Sequence, residues 1–384
     1  MITDILDITS SEYTHNPYIW YEKLRQKGNV HYLSKNQSWI VIGFAECIEI
    51  LSNPQVFSSV GKYQFDPILL NCDPPTHTYH KRILSGENTP FSNSRIELLA
   101  VKNLKICENQ LNLLKGKTAF DFLHEFALPY SSLVILALLG IEIDNNVDLL
   151  KWSNEAVSAQ SISDRDYAQS NWMTLLPIVT KWVEEAYNKP YGKGLSEIIF
   201  HPNAQNYFSK EQLVSLVKIL ILGGNETTPT LVSSALYHLI CKPSLMAEIR
   251  LNNHLLDPFI NEVLRFYSPT QIIARTTKTD VIIGDVTIPS NSLVNVCIGA
   301  ANRDPQVFEN PNEFVVNRPK GRILSFGHGA HHCIGASLAK QETKIIFEAL
   351  FSRYKTISTA SSFIPEYRKS THVRGLEKLP LIVE

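Results

Sequence analysis

The stretch from Ser209 to Cys241, SKEQLVSLVKILILGGNETTPTLVSSALYHLIC, sets the strongest limit on what this chain can fold into. Ser209 and Gln212 form an S-x-x-Q capping box, which opens a helix. A long apolar helix follows, and an element this apolar belongs in the interior. Its middle, however, reads GGNETTPT, Gly223 to Thr230. Each glycine inside a helix costs roughly 1 kcal/mol relative to alanine. Pro229 costs more, because it removes an N–H and crowds the carbonyl of Asn225. In one reading the helix stops at Gly223. In the other it continues, since helical patterning resumes at once in LVSSALYHLI, and it is distorted at its centre where something lies against it. Polar Glu226 and Thr227 then sit at the distortion, and the Thr227 hydroxyl returns to the carbonyl of Gly223, four residues back.

The rest of the chain supplies a body for such a helix. Periodicity is helical from about 76 to 250. The first sixty residues give a helix (Pro17 to Gln26), a strand pair (Val30 to Gly43) and a second helix (Ala45 to Ser52). Short β signals come late, at Ala274 to Ile283, Val286 to Ile288 and Leu293 to Ile298. No repeat or linker divides the 384 residues, and no Gly-rich nucleotide loop follows a strand. The expectation is one mainly α domain over 1–384 with small β sheets. It has a β-rich N-terminal portion (about 1–60), an α-rich body (about 70–270), and β segments with a Cys loop and final helix (about 271–384). A net charge of −1 makes no case for nucleic acid or an anionic membrane. The first residues lack a signal-peptide pattern. The longest apolar runs, Leu133 to Ile141 and Leu216 to Leu222, are shorter than a membrane span of roughly 18 residues and read as buried helix. The six scattered cysteines read as reduced thiols of a cytoplasmic protein, five of them small core residues.

The sixth, Cys333, sits in FGHGAHHCIG, Phe326 to Gly335. Zinc would need about four ligands at characteristic spacing, and Cys333 has no partner cysteine. A nucleophilic cysteine would need a Cys-His arrangement that is not evident. Thiolate-ligated haem iron uses a single cysteine. Glycines at 327, 329 and 335 would let a loop lie close under a porphyrin.

Five elements in fixed order carry a resemblance. They are Asp73-Pro74-Pro75-x-His77, Gly223-Gly224-x-Glu226-Thr227-Thr228, Glu262-x-x-Arg265, Ala301-Asn302-Arg303-Asp304-Pro305 running on to Asn317-Arg318-Pro319, and Phe326-Gly327-x-Gly329-x-His331-x-Cys333-x-Gly335. In these the chain resembles the soluble, bacterial-type cytochromes P-450, haem-thiolate monooxygenases. The resemblance runs from about residue 15 to the C-terminus. It implies that family's fold, with haem b between a long distorted distal helix and the proximal Cys loop.

It implies roles as well. Cys333 is the iron ligand and Phe326 shields its sulfur. His331, Arg275 and His77 contact the haem propionates. Glu262, Arg265 and Arg318 form a buried bracing triad. Thr227 and Glu226 deliver protons during dioxygen activation, and Gly223 and Gly224 border the cofactor and substrate. Two departures stand out. Lys81 replaces the usual arginine four residues after His77, with Arg82 next, and Glu87-Asn88 replaces an Ala-Phe pair. Lysine is a point donor and not a planar fork, so Lys81 or Arg82 takes that propionate contact. The pocket is expected at Lys62 to Leu70, Ser158 to Met173, Gly223, Gly224 and Gln271 to Ile273, for a hydrophobic substrate such as a fatty acyl, terpenoid or carrier-tethered molecule. Electrons come from a ferredoxin or flavodoxin-type donor with its reductase, drawn to a monomer by Arg82, Lys340 and Lys344. The Glu226-Thr227 pair favours this electron-fed reading over a peroxygenase or isomerase, or a non-catalytic haem sensor or carrier.

Overall fold

A computed structural model describes residues 2–60, 67–87, 89–141, 165–202, 208–319 and 321–384. Its strands among these residues are β1 Val30–Leu33, β2 Ser38–Val41, β3 Phe57–Ser58, β4 Ala119–Asp121, β5 Ile272–Thr277, β6 Val281–Ile283, β7 Val286–Ile288, β8 Leu293–Cys297, β9 Ile357–Ser358 and β10 Pro380–Val383. Helices make up most of the remaining regular structure. No helix among the described residues is long and apolar enough to cross a membrane.

Contacts group the chain into two compact units. The first comprises Met1–Tyr79, Asn261–Cys333 and Tyr367–Gly375. It is built on a sheet of order β1-β2-β8-β5-β3. β2 and β8 run parallel, with Ile40 opposite Asn295, while β5 is antiparallel to β8, with Arg275 opposite Val294. β8 reads LVNVC and is buried at every position after the first. Its side chains alternate between faces: Val294 and Val296 join Val41, Phe44, Leu51 and Phe57 on one side, and Cys297 joins Tyr13, Leu24 and Ile40 on the other. A strand covered on both faces shows no polar alternation. Its one amide, Asn295, is satisfied by donating Nδ2–H to Ser38 Oγ at 3.0 Å.

The second unit comprises His80–Ile260, Ile334–Glu366 and Leu376–Glu384. It holds the helix Lys210–Ile240, 31 residues long. The expected cap is present: Ser209 Oγ accepts from the Gln212 N–H at 3.2 Å, and Gln212 Oε1 accepts from the Ser209 N–H at 2.9 Å. The helix does not stop at Gly223. It runs unbroken through Gly223, Gly224 and Pro229. Burial explains this, since Leu213 to Ile221 and Thr228 to Leu236 are almost wholly covered, and tertiary packing outweighs the local cost of two glycines and a proline. Gly224 is part of that packing. A Cβ there would lie 2.3 Å from Cγ1 of Ile135 on the helix Leu128–Leu138. A small sheet of order β4-β10-β9 completes the unit.

Candidate functional site

The Cys loop is shaped mainly by its own backbone. The Gly327 N–H donates to Leu324 O at 2.7 Å, and the Cys333 N–H donates to Phe326 O at 2.8 Å. Gly327 and Gly329 have φ of 72° and 68°, the left-handed region that disfavours other residues. Gly329 is doubly constrained, because a Cβ would sit 2.4 Å from the carbonyl oxygen of Leu51. Gly335 differs: at φ −89° it is the N-cap of the helix Ala336–Arg353. The loop leaves Cys333 exposed. Cys47, Cys72, Cys107 and Cys297 are buried, and burial pushes the thiols of Cys72 and Cys107 up to about 12. The expectation of five core cysteines fails at Cys241, which is exposed at the end of the 210–240 helix, where burial stops.

The first unit also carries the expected propionate groups His331, His77 and Arg275, on separate elements. The His331 ring stacks on that of His77, centroids 3.8 Å apart and planes inclined by 38°. His77 is buried in the helix Thr76–Ser85, and Ser59 Oγ lies 3.2 Å from His331 Nε2. Arg275 is buried on β5 and donates from Nη1 to Ala274 O at 2.8 Å. His332 is exposed, its ring centroid 6.5 Å from that of Phe326. In the second unit, Lys81 is partly buried and Arg82 exposed.

The bracing triad is assembled in full. Arg265 donates from Nε and Nη2 to the two carboxylate oxygens of Glu262 at 2.8 and 2.7 Å, and Arg318 Nε lies 3.3 Å from both. Arg265 spends its remaining donors on the carbonyls of Asn302, Pro311 and Glu313. With the Arg265 side chain only 1% exposed, every donor has to be matched. Sequence reasoning missed the hub beside it. Asn302, in the motif Ala301–Pro305, is buried, bonds the hydroxyls of Ser268 and Ser325, and accepts the Leu324 N–H at the entrance to the Cys loop.

In the second unit the centre of the 210–240 helix is uncovered. Gly223 is exposed, Leu222, Gly224, Glu226 and Thr227 are partly so, and a Cβ on Gly223 would meet nothing within 4 Å among the described residues. Thr227 Oγ1 donates to Gly223 O at 2.7 Å, as its spacing predicts. Asn225 points elsewhere: it is fully buried, and neither end of its amide meets a hydrogen-bond partner among the described residues.

Each unit separately has features that fit a haem enzyme. The first supplies an exposed thiol for iron and imidazole and guanidinium donors suited to carboxylates. The second has a helix flank that, among the described residues, is open beside a hydroxyl and a carboxyl. The expected docking lysines are less available. Lys344 pairs with Asp257 at 3.1 Å, and burial lowers the ammonium of Lys340. Positions 62–66 and 158–164 of the expected substrate pocket, and Asn88, lie outside the described residues, as do the side chains at 165–173.

Residues 193–380 match the family model Cytochrome P-450. The chain is 30% identical over 373 residues to Cytochrome P-450 109 of Bacillus spizizenii, covering 95% of this chain and 91% of that protein. It is 29% identical over 392 residues to the biotin biosynthesis cytochrome P-450 of Bacillus subtilis, covering 98% of each. A crystal structure of P-450 BioI in complex with an acyl carrier protein ligated to hexadec-9Z-enoic acid matches with a TM-score of 0.86 at 28% identity, over 97% of this chain and 99% of that one.

Proposed function

Because this chain belongs to the cytochrome P-450 family, we propose that it inserts one atom of dioxygen into a hydrophobic small molecule, by hydroxylation or epoxidation, using electrons from a separate donor. The family's haem b supplies dioxygen binding and O–O cleavage, which a thiolate ligand favours. In this reading Cys333 is the iron ligand. His331, His77 and Arg275, with Lys81 or Arg82, bind the propionates, because two carboxylates taken out of water need such partners. Glu262, Arg265 and Arg318 hold the framework behind the Cys loop.

Thr227 and Glu226 handle protons. The Thr227 hydroxyl already donates its own hydrogen to Gly223 O, so it meets whatever lies on the open flank as an acceptor. Glu226 is partly exposed, so it can exchange protons with solvent and pass them inward. The two standing together at the open flank favour an electron-fed enzyme over a peroxide-driven one. We assign the electron supply to a ferredoxin or flavodoxin-type protein with its reductase, and the enzyme itself to the cytoplasm as a monomer. For the substrate, the solved relative that holds an acyl carrier protein carrying a fatty acyl chain supports a fatty acyl group, free or carrier-tethered.

The observation that carries this reading is the presentation of Cys333, an exposed thiol on a loop fixed by two left-handed glycines. Cys333→Ala is expected to abolish the strongly red-shifted, thiolate-type Soret band of the reduced carbon-monoxide complex. Persistence of that band in the variant would remove Cys333 from its role.

A further inference from the structure

Asp73 opens the motif Asp73-Pro74-Pro75-x-His77, and its position in the helix start accounts for only one of its bonds. Its backbone carbonyl accepts the N–H of His77 at 3.0 Å. Its carboxylate turns the other way. Oδ1 accepts the backbone N–H of Ser59 at 2.8 Å, and Oδ2 accepts the hydroxyl of Ser58 at 2.6 Å. Lys278 Nζ is 2.9 Å from Oδ2 and also donates to Pro54 O at 3.0 Å, while the Lys278 backbone N–H bonds Val56 O. The carboxylate therefore pins the end of β3 and the residue after it.

Ser59 is 2% exposed, and its hydroxyl is the group that lies 3.2 Å from His331 Nε2. Asp73 thus reaches both members of the stacked imidazole pair: His77 through the main chain, and His331 through Ser59. Burial pushes the Asp73 carboxyl up, but the bonds from Ser58, Ser59 and Lys278 outweigh it and hold the group below the usual carboxylate range. The clamp is accordingly anionic at neutral pH.

We infer that Ser59 is a positioning residue for the cofactor, held by the Asp73 clamp and fixing the orientation of the His331 ring against His77. The inference rests on the reading of His331 as a propionate contact. An imidazole with one nitrogen engaged by a fixed hydroxyl cannot rotate or flip without breaking that bond, and the nitrogen opposite is aimed as a consequence. Asp73 acts one step further back, through the Ser59 main chain.

The test uses the haem-loaded protein and measures haem transfer to excess apomyoglobin, together with the midpoint potential of the iron. Loss of one such hydrogen bond predicts that Ser59→Ala releases haem about three- to tenfold faster. The effect should be absent when His331→Ala is already present, and Ser59→Thr should restore the slow rate and the potential. Asp73→Asn provides a second route, weakening the clamp while leaving the hydroxyl in place, and should show the same dependence on His331. Slow release and unchanged potential in both Ser59→Ala and Asp73→Asn, with fast release in His331→Ala, would overturn the inference and leave the reading of His331 intact. Unchanged release in His331→Ala itself would overturn both.

Discussion

Thr227 shows how one hydrogen bond narrows a residue's role. With its proton committed to Gly223 O, the side chain contributes lone pairs and a fixed position, and the proton it helps deliver has to come from elsewhere. Thr227→Ser keeps that arrangement, and Thr227→Val keeps only the shape. The serine variant is expected to retain coupling. The valine variant should consume NAD(P)H while yielding product lowered by about tenfold or more, the scale of a lost proton-transfer contribution. Substrate affinity should barely move in either, because the hydroxyl acts after binding. Product formed per NAD(P)H consumed, in a system with a surrogate ferredoxin and reductase, measures this; equal coupling in the serine and valine variants would place proton delivery on another group. The triad residues behave differently at the same scale. Glu262 and Arg265 are 3% and 1% exposed at their side chains; removing Glu262 strands Arg265 as a buried charge, whereas removing Arg265 leaves Glu262 with Arg318.

At the scale of elements, the 210–240 helix separates two uses of glycine that look alike in the sequence. Among the described residues Gly223 faces open space, whereas Gly224 lies against Ile135. Alanine gains roughly 1 kcal/mol of helix propensity at either position. At Gly224 that gain is opposed by overpacking, which typically costs about 1–3 kcal/mol. Gly223→Ala should therefore stabilise the protein and Gly224→Ala should not, with the gap between the variants equal to the packing cost alone. Urea unfolding followed by far-UV circular dichroism reads that gap, and equal midpoints would mean Ile135 yields without cost. The capping box, the Thr227 back-bond, the strand pair at 30–41 and β7 are local, and they appear where spacing places them, whereas the segment expected at Ala274 to Ile283 divides into β5 and β6 of different sheets. Whether the helix survived its centre was a tertiary question, decided by Ile135 and the other side chains packed around it. The site divides in the same way. Cys333, Glu262 and Arg265 stand in short-range patterns. Ser59, Lys278 and Asn302 come to their partners from distant parts of the chain, and no spacing rule relates them.

Over the whole molecule, buried ionisable groups set how stability responds to pH. Glu342, on the helix Ala336–Arg353, is buried with one hydroxyl partner, Ser131 Oγ at 3.3 Å, beside the buried Tyr130. Burial pushes its carboxyl up to about 8. Between the two values the folded protein keeps a proton that an unfolded glutamate releases near pH ~4.3, so stability falls by about 1.4 kcal/mol for each unit that pH rises across the interval. His80, buried against Phe208, works in the opposite sense. Burial pushes it down to about 4 from an ordinary 6.5, so the unfolded chain takes up a proton first and stability is lost as pH falls through that window. Burial lowers His372 and His328 as well, adding to the acid-side loss. Where the windows overlap, the Glu342 and His80 slopes cancel, and above the ordinary histidine value only the Glu342 slope remains. Stability should therefore peak near pH 6.5 and decline toward pH 8. Glu342→Gln keeps the shape and removes the titration. Its stability relative to the parent should rise by about 1.4 kcal/mol per unit between pH 5 and pH 8, because the parent alone loses stability to the Glu342 proton. Unfolding midpoints at several pH values in that range measure the gap, and parallel profiles for the two proteins would show that Glu342 ionises in the fold as it does in water.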